Sequence, residues 1–283
     1  MEKPDSGPLG SNVTPALASS ALLFSWWRIF VLYLFAQVLS TVVVVATLLK
    51  PLVAPPDSAS ASRTGFSRNQ SWPVAWAQAH FRIRLGVVVA LLLGLLPVVP
   101  GFYHFIQQRH GQLLADPLLD LLPVHDVSVP TFALIYGAIA ATLAYLLPRP
   151  QLLLRALWAY YFLQVLRMGT LWLLPLEPPT TLLMLHDPVM DRLFAVTTQP
   201  IVRDLFFSGH TATMALLALA GRGRRWRWVL GLLTVAVGLL VLVQRVHYSY
   251  DVLAAPFFAW GAYWLAGRVT KRYLSLQGGT TTQ

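Results

Sequence analysis

Seven apolar runs, several of them near the roughly 20 residues a helix needs to cross a bilayer, constrain this chain more than any other feature. Inside lipid each backbone N–H and C=O must be satisfied within its own segment, so the runs predict helices. The fold class expected is all-α, a polytopic transmembrane helical bundle. With 56% hydrophobic and only 11% charged residues, a soluble core is excluded, since a core of this size needs no such runs. The net charge of +10 has the look of a nucleic-acid binder, yet the arginines gather at the ends of apolar runs, where they set topology. Ten tryptophans and ten tyrosines suit interfacial belts. There is no cysteine, which excludes disulfides, thiolate nucleophiles and cysteine metal sites and leaves the compartment open.

Taken in order, residues 1–25 read as a disordered tail rich in Ser, Pro, Gly and Ala. Residues 26–50 form an extra N-terminal transmembrane or interfacial helix. A cleaved signal peptide is the rival reading, but the apolar run is too long and only Arg28 supplies a basic flank. Residues 51–82 are a cytoplasmic connection with Arg63, Arg68 and Arg82, in which Trp72 and Trp76 suit the interface. A second span runs from Ile83 to Phe105, bent near its end by Pro97 and Pro100. After a polar loop come a third span over 131–147 and a fourth over 152–174. The fifth and sixth spans are the arms of a hairpin, TATMALLALA and VLGLLTVAVGLLVLV, joined by the basic turn GRGRRWRW. The seventh begins at Asp251, and 268–283 is a cytoplasmic tail. Basic and non-basic connections alternate, which puts the basic turns in the cytoplasm and the opposite rim in the periplasm or a lumen. Seven spans place the N-terminus outside. If the first run lies in the interface, six remain and the same rim faces outward.

Three ionisable residues sit where a membrane protein has little reason to keep them. His247 and Asp251 are four apart, so they share a helical face or a turn. Asp251 can hold one ring nitrogen of His247 and leave the other as a basic lone pair. The hairpin returns His247 toward His210, which follows Ser208 and Gly209. Because the second arm is longer, His210 must sit deeper or a helix must tilt. Arg167 lies well inside the fourth span, where a charge costs roughly 2.5 to 3.5 kcal/mol and is kept for a purpose. It is either a phosphate clamp or the partner of a carboxylate such as Asp204. Arg155 is near enough to the cytoplasmic end to snorkel. His80, His104, His110, His125 and His186 read as solvated interfacial residues. Two other classes compete. Two histidines and a carboxylate can bind a metal for hydrolysis, and intramembrane Arg and His can line a channel or transporter. No inverted repeat supports transport, and the polar residues gather at one face.

The stretch RDLFFSGHTATM resembles the Asp and Ser-Gly-His-Thr signature of sphingomyelin synthases and related sphingolipid head-group transferases, and HYSYDV is similar to their His-Tyr-x-x-Asp-Val. DPLLDLLP resembles their Pro-Leu-Pro-Asp segment, and Tyr160, Tyr161, Arg167 and Thr170 resemble their Tyr-x-x-x-x-Arg-x-x-Thr helix. The four occur in the family's order over residues 83–267, the expected catalytic membrane domain. Those enzymes belong to the type-2 phosphatidic acid phosphatase superfamily, PAP2, so a six-helix PAP2-like core is implied. Its phosphatases carry a Lys-x6-Arg-Pro site and a Ser-Arg pair just upstream of the last histidine. Neither is present, which favours the transferase branch. Arg245 and Val246 stand where animal sphingomyelin synthases have His-Glu.

The resemblance and the chemistry together imply a lipid phosphotransferase using His210, His247 and Asp251. His247 attacks phosphorus and His210 protonates the departing oxygen, so a phosphohistidine forms and is then passed to ceramide, another lipid alcohol or water. Ser208, Gly209, Asp204, Arg167, Arg203, Arg245 and Tyr161 are the expected substrate or phosphate contacts. No cofactor and no metal is expected. The partners implied are phospholipid and ceramide-like lipids, with no nucleic acid and with homo-oligomerisation left open.

Overall fold

The computed structural model describes residues 71–187 and 201–271, all within one unit, Pro55–Gln283. The expected tail at 1–25, the run at 26–50, most of the 51–82 connection and the closing tail beyond Lys271 lie outside the described residues. So does the choice between six and seven spans. The described chain is helical: α1 Trp72–Ala77, α2 Ala79–Leu95, α3 Val98–Gln107, α4 Pro117–Asp120, α5 Ser128–Leu146, α6 Pro150–Leu173, α7 Gly209–Ala220, α8 Arg224–Val243 and α9 Ser249–Lys271. No β-strand occurs among the described residues.

Local chemistry explains where the helices begin. Pro150 opens α6 and Pro117 opens α4, positions where the missing N–H of proline has no intrahelical acceptor to lose. Asp116 caps α4 by accepting from the Leu119 N–H at 3.1 Å. Ser208 caps α7 by accepting from Thr211 N. Gly223, at φ 101°, turns the chain into α8, a conformation glycine adopts without steric cost. The bend expected near Pro97 is found. α2 and α3 meet at 42°, with Leu96 and Pro97 at the break.

The bundle is built around α9. Ala255, Ala259, Ala262 and Ala266 are each 0% exposed and recur at helical spacing, so one face of α9 is a seam of methyl groups. Small residues let two backbones approach closely, and this seam packs against α6 and α7. At its end a Cβ on Gly267 would lie 2.9 Å from the Arg155 guanidinium. Arg155 itself stacks on the Tyr263 ring at 3.8 Å, so it is held in the α6–α9 seam. The opposite face of α9 presents Leu253, Phe257, Trp260 and Trp264 outward, an apolar exterior that matches lipid. A second core joins Phe132 and Ile135 of α5, Met214 of α7 and Val237 and Val241 of α8.

By length and composition α5 and α8 are apolar enough to cross a membrane, and α2 with α3 makes a third if the bent pair counts as one span. α6 and α9, expected as the fourth and seventh spans, have 24 and 23 residues, but arginine, glutamine and many aromatic side chains dilute their apolar content. The expected fifth span is a short apolar helix. α7 has only 12 residues, about 18 Å at 1.5 Å per residue against a core of about 30 Å. Leu205, Phe206 and Phe207, apolar in sequence, belong to a loop that α6 holds in place.

Candidate active site

The site is assembled where the start of α7 meets the start of α9. Ser208 N donates to the Asp251 carbonyl at 3.2 Å, and the Ser208 and Thr211 hydroxyls lie 3.1 Å apart. The first bond ties the SGHT turn to the HYSYD turn directly, and the second lies within the SGHT turn. Arg167 reaches in from α6, almost fully buried. Its Nη2 pairs with Asp204 Oδ2 at 2.5 Å, its Nη1 donates to the Phe207 carbonyl at 2.6 Å and its Nε lies 3.5 Å from Tyr103 Oη. One turn on, Thr170 Oγ1 donates to the Phe206 carbonyl at 2.9 Å. Two residues of one helix face thus hold the 204–207 loop, and of the two readings of Arg167 the pairing with Asp204 is realised. The guanidinium also lies hard against Gly209, where a Cβ would stand 2.3 Å from Nη1. Only glycine permits that approach.

The unequal arms of the hairpin are reconciled by a reversal. Gly238 of α8 lies beside Thr211, and a Cβ there would be 3.7 Å from the Thr211 methyl and 2.8 Å from Val252 Cγ1. α8 therefore runs five residues past the level of Thr211. Arg245, at φ 57°, turns the chain back, and Val246 N closes onto the Val241 carbonyl at 3.2 Å. The overshooting end is held by Gln244, which is 0% exposed. Its side-chain amide donates to Asp126, Ser128 and Met184 and accepts from Val127 N.

His247 is brought back to His210. Their ring centroids are 6.3 Å apart with the planes at 63°, and Phe132 packs edge-on to His210 at 5.7 Å. His247 Nδ1 lies 3.4 Å from Asp251 Oδ2, an ion-pair distance without hydrogen-bond alignment. Asp251 Oδ2 accepts from Tyr248 N at 3.0 Å, so the carboxylate is fixed by the turn it orients. Both residues are buried, His247 at 3% and Asp251 at 0% exposure. With Nδ1 facing a carboxylate, Nε2 is the nitrogen with a free lone pair.

Sequence reasoning missed the residues that position this turn. Asp116 takes Ser249 N at 2.6 Å and Ser249 Oγ at 2.8 Å, and Asp120 pairs with Arg245 at 3.5 Å. Both aspartates of the DPLLD segment therefore grip the flanks of His247. Arg245 also donates to the Leu122 carbonyl at 3.2 Å, which commits its side chain to that loop. Arg203 is committed similarly, to Glu177 at 3.0 Å and to the Gln107 carbonyl. Tyr161 is buried against Trp158 and Phe162, while Tyr103 is the tyrosine that meets Arg167. Tyr248 Oη donates to the Glu177 carbonyl at 2.8 Å. An aspartate before proline signals a helix cap in sequence. Nothing local signals that its free valences go to a serine 133 positions away.

Three loop carboxylates are held below their ordinary range. Burial is the largest influence on Asp116 and pushes it up, but hydrogen bonds from Ser249, Leu119 and Leu118 together hold it below the ordinary carboxylate range. The Ser128 hydroxyl, the Ser128 amide and Gln244 bring Asp126 down to about 2. Glu177 is lowered chiefly by the Gly111 N–H, helped by Arg203. Among the described residues, no group of three His, Cys, Asp or Glu side chains is arranged to hold a metal ion.

Comparison with curated proteins returns no match to the chain. Residues 203–267, which carry His210, His247, Asp251, helices α7 and α8 and most of α9, match the PAP2 superfamily C-terminal family, and this match supports a lipid phosphatase or phosphotransferase role.

Proposed function

We propose that the protein is a multi-pass membrane lipid phosphotransferase of the sphingomyelin synthase type, moving a phosphorylated head group from a glycerophospholipid to ceramide or a similar lipid alcohol. The observation that carries this reading is the pair of imidazoles 6.3 Å apart with a buried carboxylate behind one of them. With the imidazoles this close, one phosphoryl group can be reached from both. His247 Nε2 attacks phosphorus, and the bond from phosphorus to the diacylglycerol oxygen breaks. His210 delivers the proton that oxygen needs. The head group is then held as phosphohistidine. His210, now neutral, takes the proton of the acceptor hydroxyl as its oxygen attacks phosphorus and His247 departs. Asp251 balances the charge that gathers on His247. The Ser208–Gly209 turn and the N-terminus of α7 face the equatorial oxygens with a favourable dipole. Arg167 supplies a fixed positive charge beneath Gly209. We place this site at the non-cytoplasmic rim, within a catalytic domain over residues 83–267.

Lipid phosphate hydrolysis is the second reading, since the matched family covers residues common to both chemistries. The absence of a Lys-x6-Arg-Pro motif and of a Ser-Arg pair just upstream of His247 argues for transfer. Purified protein given ceramide with phosphatidylethanolamine or phosphatidylcholine is expected to form a phosphosphingolipid. Formation of free head-group phosphate alone selects the hydrolase. His247→Ala is expected to remove either product, by on the order of 10⁴-fold or more, and substantial activity in that variant overturns the mechanism.

A further inference from the structure

The far end of the hairpin carries a groove that the proposed chemistry does not use. It has a volume of about 640 Å³ and is lined by Arg222, Gly223, Arg224, Arg227, Trp228, Gly231, Leu232 and Val235. It lies beyond the C-terminus of α7, so ten residues of helix separate it from His210, about 15 Å at 1.5 Å per residue. Residues 224, 228, 231 and 235 recur every three or four positions and therefore form one stripe along α8. The stripe changes character along its length. Arginines stand at the helix start, Trp228 follows at 63% exposure, and Leu232 and Val235 stand open at 65% and 61%. Between them Gly231 adds no side chain to the groove lining, which leaves a notch, and a Cβ built there would stand in open space. The floor is rigid. Trp226 turns inward, stacks on Tyr145 at 4.8 Å and lies so close to Gly221 that a Cβ there would be 1.8 Å from its ring.

Arg224 and Arg227 have no carboxylate partner among the described residues, and the first turn of α8 adds unsatisfied N–H groups and no acidic side chain. Positive charge at one end, an interfacial tryptophan in the middle and an open apolar notch below match a molecule with an anionic head and a hydrocarbon tail. Basic residues beside a transmembrane helix attract anionic lipid by about 1 kcal/mol each, and a shaped notch turns that attraction into a site.

We propose that this groove is a binding site for one anionic glycerophospholipid, its phosphate on Arg224 and Arg227 and one acyl chain in the notch at Gly231. The site is separate from the histidine pair and stands whether that pair transfers or hydrolyses.

The test uses the full-length protein in detergent and in phosphatidylcholine nanodiscs, read by native mass spectrometry and by the unfolding midpoint. Phosphatidylglycerol is expected to remain bound as one molecule and to raise the midpoint. Phosphatidylcholine and soluble glycerol 3-phosphate are expected to do neither. The double variant Arg224→Gln/Arg227→Gln should bind phosphatidylglycerol at least about tenfold more weakly, while Arg224→Lys/Arg227→Lys should stay within about threefold. Gly231→Trp fills the notch with every charge retained and should also lose at least about tenfold. Equal binding by Gly231→Trp and the parent chain would mean diffuse charge attraction without a site and overturns the proposal. Unchanged binding by the glutamine variant, or equal stabilisation by glycerol 3-phosphate, overturns it too. Each variant's midpoint without added lipid shows whether it is folded, and Gly231→Leu replaces Gly231→Trp if the larger side chain unfolds the protein.

Discussion

Gly209 shows how far one absent methyl group reaches. Its hydrogen allows the Arg167 guanidinium to lie against the turn that presents His210, and a Cβ would stand 2.3 Å from Nη1. Gly209→Ala must therefore push the guanidinium off Asp204 or shift α7. We expect a loss of about 1 to 3 kcal/mol in stability from the overlap and a larger fall in kcat than in KM. Unfolding in detergent and steady-state lipid kinetics measure the two. At the same scale, Asp126 titrates at about 2 against an ordinary value of 3.8. A carboxyl depressed on folding contributes stability that is complete above the unfolded value and drains away as pH falls through the folded one. The unfolding midpoint should accordingly hold down to about pH 4 and decline toward about pH 2. Asp126→Asn should lower the plateau and flatten that slope, and a parent profile with no decline in this window contradicts the assignment.

Between elements, the decisive feature is the alanine face of α9. Four residues at 0% exposure let α9 lie close to α6 and α7, and this closeness carries Asp251 to the SGHT turn. Ala262→Leu places a larger side chain in the seam. An overpacked core costs about 1 to 3 kcal/mol, and we expect a lower unfolding midpoint together with lost activity, though residue 262 lies far along α9 from the histidines. Full activity in Ala262→Leu shows that the seam does not hold the site. The reversal at Arg245 works at the same scale. The length mismatch of the hairpin arms is absorbed by five residues of overshoot and one turn back, gripped by Asp116 and Asp120.

For the whole molecule, the two clusters lie at opposite ends of α7. The histidine pair sits at its start and the arginine-rich groove beyond its end. We propose, from the positive-inside pattern, that Arg222 to Arg227 face the cytoplasm and the histidine rim faces the other side. The chain has no cysteine, which makes the prediction simple to check. A single cysteine at exposed Leu121 should react with an impermeant maleimide applied from outside intact cells or sealed lumenal-side-out vesicles, and one at exposed Arg225 should react only after permeabilisation. The reverse pattern inverts the topology.

The sequence by itself determined the class of fold, because long apolar runs admit only helices in lipid. It also determined that His210, His247 and Asp251 belong together, because an i, i+4 pair and a hairpin are local relations that spacing reveals. It located Arg167 as a charge needing a partner and named Asp204 as a candidate. Only the tertiary structure decided where α7 begins, since the apolar character of Leu205, Phe206 and Phe207 does not reveal that α6 binds the carbonyls of Phe206 and Phe207. Only it could show that Asp116 and Asp120 serve the His247 turn, and that Arg203 and Arg245 are committed to loop carboxylates. The reason is physical. Periodicity and spacing report interactions within about one helical turn, whereas a buried hydrogen bond between residues more than a hundred positions apart exists only once the helices have packed.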